Sequence, residues 1–242
     1  MQLYGLIGYP LSHSFSKKYF DEKFMHDGIT NASFKNYSIE NISLLHEILV
    51  QRDLRGLAVT IPYKKAVIDF LYNSTDEVKQ MGACNCIKIK DGKLLGYNTD
   101  VIGFEKSFIK KLKPHHTKAL ILGTGGAAAA VEFVLQKLNI EYEFVSRRKA
   151  GTQLLYSELN ENILNKYSVI INATPIGTFP DIDEAPAIPY QFINPQHYLF
   201  DLVYNPAETK FLQFAKQKGA TIQNGYEMLE LQAEENWKIW NE

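Results

Sequence analysis

The stretch Ala119-Leu120-Ile121-Leu122-Gly123-Thr124-Gly125-Gly126-Ala127-Ala128 decides the fold of this chain. A short apolar run passes directly into a glycine-rich turn, and the alanines that follow predict a helix to about Leu138. The turn satisfies the pattern G-x-G-x-x-G/A, with Ala128 in the last place. Glycines let a pyrophosphate approach the backbone, and the N–H groups at the start of the helix meet its charge. The stretch therefore predicts a dinucleotide-binding unit of strand, turn and helix.

The end of the next predicted strand indicates which dinucleotide binds. That strand, over residues 142–145, runs into Ser146-Arg147-Arg148-Lys149, which holds three cations and no acid. Sites for NAD usually place a carboxylate here on the ribose 2′-hydroxyl, whereas a guanidinium binds a 2′-phosphate in two places at once. We therefore expect NADP rather than NAD, with Arg147 as the leading contact. Solvated loop cations are the alternative.

Short apolar runs alternate with helix-length segments along the rest of the chain, which is typical of an α/β fold. We expect further strands at residues 3–7, 34–39, 57–60, 86–90, 93–97, 169–172, 198–203 and 221–222. We expect helices over about residues 14–25, 42–50, 101–112 and 226–240, and one that begins just after Pro62. Asp91-Gly92 between two of the strands is a strong hairpin signal.

These elements divide into two blocks, for which a chain of 242 residues is long enough. Residues 1–100 are expected to form a substrate-binding and catalytic domain with a mixed sheet, completed by the C-terminal helix at 226–242. Residues 101–225 are expected to form an NADP-binding domain of the Rossmann type, with a doubly wound parallel sheet.

Composition limits the function classes. Lys and Arg number 26 against 27 Asp and Glu, which argues against nucleic acid or an acidic membrane as partner. No basic and apolar leader opens the sequence, so we expect a cytoplasmic protein. Two cysteines exclude a disulfide-rich scaffold, and without further ligands nearby Cys84 and Cys86 are not expected to bind a metal. His115 and His116 follow Pro114 in a predicted loop and are expected to be solvated.

Three polar clusters point to a ligand. Hydroxyls crowd a predicted helix start in the stretch GYPLSHSFS at 8–16, as expected for an anion site, although one serine could simply cap the helix. Lys64 follows a strand end, where ligands bind in open α/β sheets, although an isolated lysine is more often on the surface. Asp100 ends Tyr97-Asn98-Thr99-Asp100 and could instead cap the next helix.

The three polar clusters belong to a longer series of motifs along the chain. The motifs are GYPLSHSFS (8–16), GLAVTIPYK (56–64), GACNC (82–86), GYNTD (96–100), GTGGA (123–127), NATPIG (172–177), DLVYNP (201–206) and GYEMLELQ (225–232). In this order the series resembles the shikimate dehydrogenase family over essentially the whole chain. Members reduce 3-dehydroshikimate to shikimate reversibly with NADPH, in aromatic amino-acid biosynthesis.

The resemblance implies a role for each matching residue. Lys64 would be the catalytic residue that transfers the proton, and Asp100 its partner and a substrate ligand; a desolvated lysine oriented by a carboxylate suits this chemistry. Substrate contacts are implied for Ser14, Ser16, Thr60, Asn85, Tyr204 and Gln232. Cofactor contacts are implied for Gly123, Thr124, Gly125, Gly126, Ala127, Ser146, Arg147, Arg148, Thr174 and Gly225. The resemblance implies no metal, gives His13 no catalytic role, and allows a monomer or a homodimer.

Of two departures from the family pattern, the first leaves the substrate range open. Ala58 stands where the family usually has an asparagine that binds a ring hydroxyl, and Val101 stands where a glycine commonly follows the Asp. A lost hydrogen bond of this kind costs on the order of 1 kcal/mol. The alternatives are a quinate or shikimate dehydrogenase that accepts NAD or both substrates, a catalytically weak paralogue that binds a similar acid, and a folate-linked dehydrogenase of the same plan.

Overall fold

The computed structural model describes residues 1–11, 14–149 and 151–242. In this part of the chain the strands are β1 (Gln2–Gly8), β2 (Ala32–Ser38), β3 (Leu54–Val59), β4 (Asn73–Ser74), β5 (Cys86–Lys90), β6 (Lys93–Tyr97), β7 (Lys118–Leu122), β8 (Glu141–Ser146), β9 (Leu154–Leu155), β10 (Val169–Asn172), β11 (Tyr198–Asp201) and β12 (Thr221–Gln223). The helices are α1 (Phe15–His26), α2 (Leu45–Leu49), α3 (Asp76–Met81), α4 (Asp100–Phe108), α5 (Gly126–Lys137), α6 (Glu161–Lys166), α7 (Lys210–Gln217) and α8 (Tyr226–Asn241). Short 3₁₀ helices lie at Ile42–Leu44, Ala66–Phe70, Ile109–Lys111, Tyr156–Glu158 and Tyr190–Phe192. None of the described helices is long and apolar enough to cross a membrane.

The first sheet is mixed, with the order β2-β1-β3-β5-β6-β4. β1 runs parallel to β2 and β3, and β5 runs antiparallel to β3 and β6. At the turn between β5 and β6, Asp91 and Gly92 have φ of 51° and 71°. Positive φ at both central residues is what a tight hairpin turn needs, because its twist then matches that of the strands. The expected hairpin is confirmed.

The second sheet is entirely parallel, with the order β12-β11-β10-β7-β8-β9. Every residue of the central strand β10 is buried. Burial on both faces is typical of parallel sheets covered by helices, and explains why these strands read as apolar runs instead of alternating patterns. The expected α/β fold with one mixed and one parallel sheet is confirmed.

The chain divides into two compact units. The first consists of Met1–Asp100 and Glu230–Glu242, and the second of Val101–Leu229. The first contains the mixed sheet and the second the parallel sheet.

The first unit is buried on both faces of its sheet, because alternate residues of β1 enter different apolar clusters. Leu3 and Ile7 lie in one cluster, and Tyr4 and Leu6 lie in the other. The second cluster receives α1 and α8, and the Trp240 ring stacks on that of Tyr4 at 5.1 Å between centroids. A Cβ at Gly56 would come within 2.3 Å of Trp240, so this glycine makes room for the indole. The C-terminal helix is therefore part of the core of the first unit.

One expected helix is absent from its place. The segment after Pro62 forms turns and then the 3₁₀ helix Ala66–Phe70. The carbonyl of Lys64 accepts the N–H of Cys84 at 2.7 Å and so serves the neighbouring loop instead of a helical turn. The prediction of a helix directly after the proline was wrong because a contact distant in sequence determines this backbone.

His116 also differs from expectation. His115 is exposed, but His116 is 3% exposed. The N–H of Lys113 donates to its Nδ1 at 3.0 Å, and its Nε2 lies 3.1 Å from the Gln196 carbonyl. Burial lowers the pKa of His116 to about 4. A second proton would also oppose the N–H already directed at Nδ1, so the folded protein holds this ring neutral.

This neutral histidine predicts a pH dependence of stability. A base with a lower pKa in the folded chain contributes most above its unfolded pKa, and its contribution is lost as pH falls towards the folded value. Relative to His116→Gln, we expect the wild-type free energy of unfolding to fall by up to about 3 kcal/mol between pH 7 and pH 4. Urea titrations across this range measure the difference. His115→Gln is the control, because that side chain is exposed; a constant difference for His116→Gln would contradict the assignment.

Candidate active site

Lys64 and Asp100 form a buried ion pair in the first unit. Lys64 lies in the turn after β3, and Asp100 is the first residue of α4. The Lys64 Nζ donates to the Asp100 Oδ2 at 2.6 Å, and the two side chains are 15% and 9% exposed. A pair removed this far from water must be held by the surrounding backbone, because neither charge can be left alone without a large cost.

Two hydrogen bonds to backbone carbonyls join the loops that carry this pair. The N–H of Cys84 donates to the carbonyl of Lys64 at 2.7 Å. The side-chain amide of Asn98 donates to the carbonyl of Ala83 at 2.9 Å. Since Asn98 lies two residues before Asp100, these bonds and the ion pair close a ring through three loops. The ring determines how Lys64 faces Asp100.

A chain of buried amides and hydroxyls includes Thr99, the residue before Asp100. Asn85 and Thr99 are joined twice, because the Thr99 N–H donates to Asn85 Oδ1 at 2.6 Å and Asn85 Nδ2 donates to Thr99 Oγ1 at 3.0 Å. The Thr99 hydroxyl donates to Asn236 Oδ1 at 2.7 Å, and Asn236 Nδ2 donates to Gln232 Oε1 at 3.3 Å. All four side chains are buried. The chain links the end of the hairpin with α8.

The two serines expected at the substrate lie at the start of α1. Ser14 is the N-cap residue, but its hydroxyl makes no capping bond to the helix. Its Oγ is buried and has no hydrogen-bond partner within the described part of the chain. Ser16 is buried on the face of α1 that also carries Phe20 and Phe24. Capping therefore does not account for Ser14. Ser12 and His13, in the same stretch, lie outside the described residues.

Thr60 and the loop after β1 are packed closely together. A Cβ at Gly8 would lie 2.4 Å from Thr60 Cγ2 and 3.0 Å from the carbonyl of Ile61, so only glycine fits. Ala58, two residues earlier, is buried in the aromatic cluster that also contains Ala233. At that position β3 presents a methyl group and no polar atom.

The glycine turn of the second unit combines one closely packed glycine with one that faces open space. Gly123 has a φ of +98°, and a Cβ there would lie 2.7 Å from Thr174 Cγ2. Gly125 is the N-cap of α5, is exposed, and would place a Cβ where nothing lies within 4 Å. Packing explains the first glycine but not the second. Open space in front of a helix N-terminus suits an anionic ligand.

A buried carboxyl supports the loops beside this turn. Asp201 accepts hydrogen bonds from Thr209 Oγ1 at 2.5 Å, Asn172 Nδ2 at 2.9 Å and the Val203 N–H at 3.0 Å. Burial raises the pKa of Asp201 to about 7. Asn172 in turn accepts the Thr174 hydroxyl at 2.6 Å, which fixes Thr174 beside the glycine turn.

Other predicted cofactor residues lie at the ends of strands in the same unit. The Ser146 hydroxyl donates to the carbonyl of Arg148, which shapes the turn that carries Arg147. Both arginines are exposed, whereas Lys149 pairs with Glu158 at 3.1 Å. Gly225 has a packing reason to be glycine, because a Cβ there would lie 2.2 Å from the carbonyl of Leu202.

The structure groups the predicted site residues by unit. The first unit contains Ser14, Ser16, Thr60, Lys64, Asn85, Asp100 and Gln232. The second contains the predicted cofactor residues and Tyr204, which follows β11. The sequence did not identify Thr99 and Asn236 as members of the hydrogen-bonded chain. The available signal for Asn236 was its spacing of four from Gln232, which places both on one face of a helix.

Comparisons with known proteins agree with this architecture. Residues 6–87 match the family model described as the shikimate dehydrogenase substrate binding domain. The curated shikimate dehydrogenase (NADP(+)) of Clostridium beijerinckii is 37% identical over 255 residues, which cover 100% of this chain and 93% of that protein.

Solved structures agree as well. The crystal structure of shikimate dehydrogenase from Aquifex aeolicus has a TM-score of 0.89 at 33% identity, and covers 100% of this chain and 92% of the other. Shikimate 5-dehydrogenase from Thermus thermophilus, solved with NADP(H) and shikimate, has a TM-score of 0.87 at 28% identity over 99% and 93% of the two chains. With its mixed and parallel sheets, its motifs and these full-length relatives, this chain belongs to the shikimate dehydrogenase family.

Proposed function

We propose that this chain is an NADP-dependent shikimate dehydrogenase, which reduces 3-dehydroshikimate to shikimate reversibly in aromatic amino-acid biosynthesis. Relatives over the full length of the chain carry this name. The observation that carries the proposal is the Lys64–Asp100 pair at 2.6 Å, beside a separate run of buried amides and hydroxyls that includes Thr99, the residue before Asp100. An ammonium beside hydrogen-bonding groups suits an acid that carries several hydroxyls.

Ser14 and Ser16 would bind the substrate carboxylate. A buried hydroxyl without a partner costs about 1–3 kcal/mol, and among residues 1–11, 14–149 and 151–242 the Ser14 Oγ has none. A carboxylate at the start of α1 would accept its proton and be stabilised by the helix N-terminus. In the complex the Ser14 hydroxyl would therefore donate a hydrogen bond that it does not make within the described residues.

The ring hydroxyls would be bound by the other polar residues of the first unit. We assign Thr60, Asn85, Asp100 and Gln232 to this role. Tyr204, for which the resemblance implies a substrate contact, belongs to the second unit. Because Ala58 gives no polar contact, quinate is the alternative substrate that the test must include.

Lys64 would move the proton. In the reducing direction its ammonium donates a proton to the carbonyl oxygen as that oxygen becomes a hydroxyl, and in the oxidising direction the amine takes the proton back. Asp100 accepts a hydrogen bond from the Nζ and so holds it in position. NADPH, when bound, supplies the hydride. Ketone, hydride and proton together give the secondary alcohol.

The second unit would hold the cofactor, and its residues fit that group. The open approach to Gly125 and the N-terminus of α5 suit the pyrophosphate. The exposed Arg147 suits a 2′-phosphate, with Arg148 and Ser146 beside it. The remaining contacts are assigned to Gly123, Thr124, Gly126, Ala127, Thr174 and Gly225.

The proposal is tested by a spectrophotometric panel on the purified protein. Shikimate and quinate are each offered with NADP⁺ and with NAD⁺, and the absorbance of the reduced nicotinamide is followed. We expect kcat/KM for shikimate with NADP⁺ to exceed the other three combinations by about tenfold or more. Absence of turnover with all four would contradict the proposal, and a preference for quinate or NAD⁺ would support the corresponding alternative.

Removal of the proposed proton donor should abolish most of the activity. We expect Lys64→Ala to lower kcat by about 10²–10⁴-fold, the usual contribution of general acid–base catalysis. Lys65→Ala is the matched control, because this neighbouring lysine is exposed. A Lys64→Ala enzyme that retains kcat within about tenfold of wild type would exclude Lys64 as the proton-transfer residue.

Removal of the proposed phosphate ligand should change cofactor preference. We expect Arg147→Ala to raise the Kd of NADP⁺ by about 10–100-fold and to leave that of NAD⁺ nearly unchanged, because only NADP⁺ carries the 2′-phosphate. Lys149→Ala serves as control, since that lysine is paired with Glu158. Equal effects of Arg147→Ala on both cofactors, measured by calorimetry, would show that the arginine does not read the 2′-phosphate.

A further inference from the structure

We propose that Asn236 is a positioning residue for the substrate, which orients Asn85 and Gln232 so that both present their amide N–H groups to it. The inference rests on the proposed function, since it concerns recognition of the same hydroxylated acid. It adds a residue from the C-terminal helix that the family motifs quoted above do not contain.

Asn236 lies in a fully buried position between Gln232 and Thr99, the residue to which Asn85 is bonded. It is on α8 four residues after Gln232 and is 1% exposed. Its Oδ1 accepts the hydroxyl of Thr99 at 2.7 Å, and its Nδ2 donates to Gln232 Oε1 at 3.3 Å. Both ends of the amide are used, so the side chain cannot turn over without breaking both bonds.

On one side, Asn236 determines where the Thr99 hydroxyl proton points. Two acceptors lie within reach of that proton, Asn236 Oδ1 at 2.7 Å and Asn85 Oδ1 at 3.2 Å. A hydroxyl has one proton to give, and the shorter contact takes it. Thr99 Oγ1 is then the acceptor for Asn85 Nδ2 at 3.0 Å, and Asn85 Oδ1 is engaged by the Thr99 N–H. The amide of Asn85 therefore has a single orientation, in which one N–H of its Nδ2 donates to Thr99 and the other is the group assigned to the substrate.

On the other side, Asn236 determines the orientation of Gln232. Because the Gln232 carbonyl oxygen is directed at the Asn236 amide, its own NH₂ group lies at the opposite end of the amide plane. A glutamine without this restraint can present either a donor or an acceptor. With the restraint it presents a donor, which matches the oxygen of a hydroxyl or a carboxylate.

Asn236 is a positioning residue because every contact described for it is to Thr99 or Gln232. Its influence should therefore appear in the affinity for the substrate and not in the affinity for the cofactor. A merely structural role would weaken both affinities along with the fold.

The experiment compares Asn236→Ala and Asn236→Leu with wild type. Leucine keeps the branching at Cγ and removes both polar ends, whereas alanine avoids the larger methyl groups, so one of the two variants should remain folded. Lys238→Ala, an exposed residue of the same helix, is the control. KM for shikimate, KM for NADP⁺ and kcat are measured, with the Kd of shikimate by calorimetry and Tm as a check of folding. We expect KM and Kd for shikimate to rise about tenfold or more, with KM for NADP⁺ within about twofold of wild type.

A double-mutant cycle with Gln232→Ala completes the test. If Asn236 acts through Gln232, the combined effect on shikimate Kd is smaller than the product of the single effects. The inference is overturned if the folded variants bind shikimate as wild type does, if both KM values rise alike, or if the effects multiply. Wild-type protein that fails to bind shikimate would overturn the proposed function and this inference together, whereas an active wild type with unaffected variants overturns this inference alone.

Discussion

The arrangement of the first unit depends on a charge pair that is expensive to bury. Lys64 and Asp100 meet at 2.6 Å with little exposure to water. Breaking such a pair leaves an uncompensated buried charge, at a cost of about 3–5 kcal/mol. The fold tolerates the pair because both partners are delivered by backbone that is itself tied down, through the Cys84 N–H on one side and Asn98 on the other. The group proposed to exchange a proton is thereby kept in one geometry without being buried in the apolar core.

The apolar core and the polar network are built from the same elements. α1 carries Ser14 and Ser16 at its start, and Phe20 and Phe24 on the face that meets the sheet. α8 carries Gln232 and Asn236, and on the same helix Trp240 packs against Tyr4 and donates to the Ile87 carbonyl at 3.0 Å. Packing of these aromatic rings sets the height of both helices above the sheet, and so places the polar residues that the helices carry.

Much of the fold could be predicted from the sequence, wherever a local signal is strong. The glycine turn, the Asp91-Gly92 hairpin and the apolar strands lie where their residues indicated, because local sterics and burial determine them. Short amphipathic elements such as α3 and α7 were not predicted. Their helices begin at the capping residues Thr75 and Thr209, whose hydroxyls accept backbone N–H groups, a signal that the apolar pattern does not contain.

The rest could not be predicted because it depends on contacts between distant residues. The backbone after Pro62 follows the bond from Cys84 to Lys64, and His116 is buried by partners on both sides of its ring. The candidate site likewise contains contacts between distant residues that the sequence does not reveal. The resemblance supplied the residues that would touch the ligands, whereas Thr99 and Asn236, which hold those residues, are recognised from their hydrogen bonds.

The central claim is that Lys64 and Asp100 act as one proton-transfer unit, and a double-mutant cycle in kcat tests it most directly. Lys64→Met, Asp100→Asn and the double variant are compared with wild type in shikimate oxidation at saturating substrate and cofactor. Groups that act as a unit are strongly non-additive, so the double variant should be about as slow as the slower single variant. Two effects that multiply in the double variant would mean that the lysine and the aspartate contribute independently, and the claim would fail.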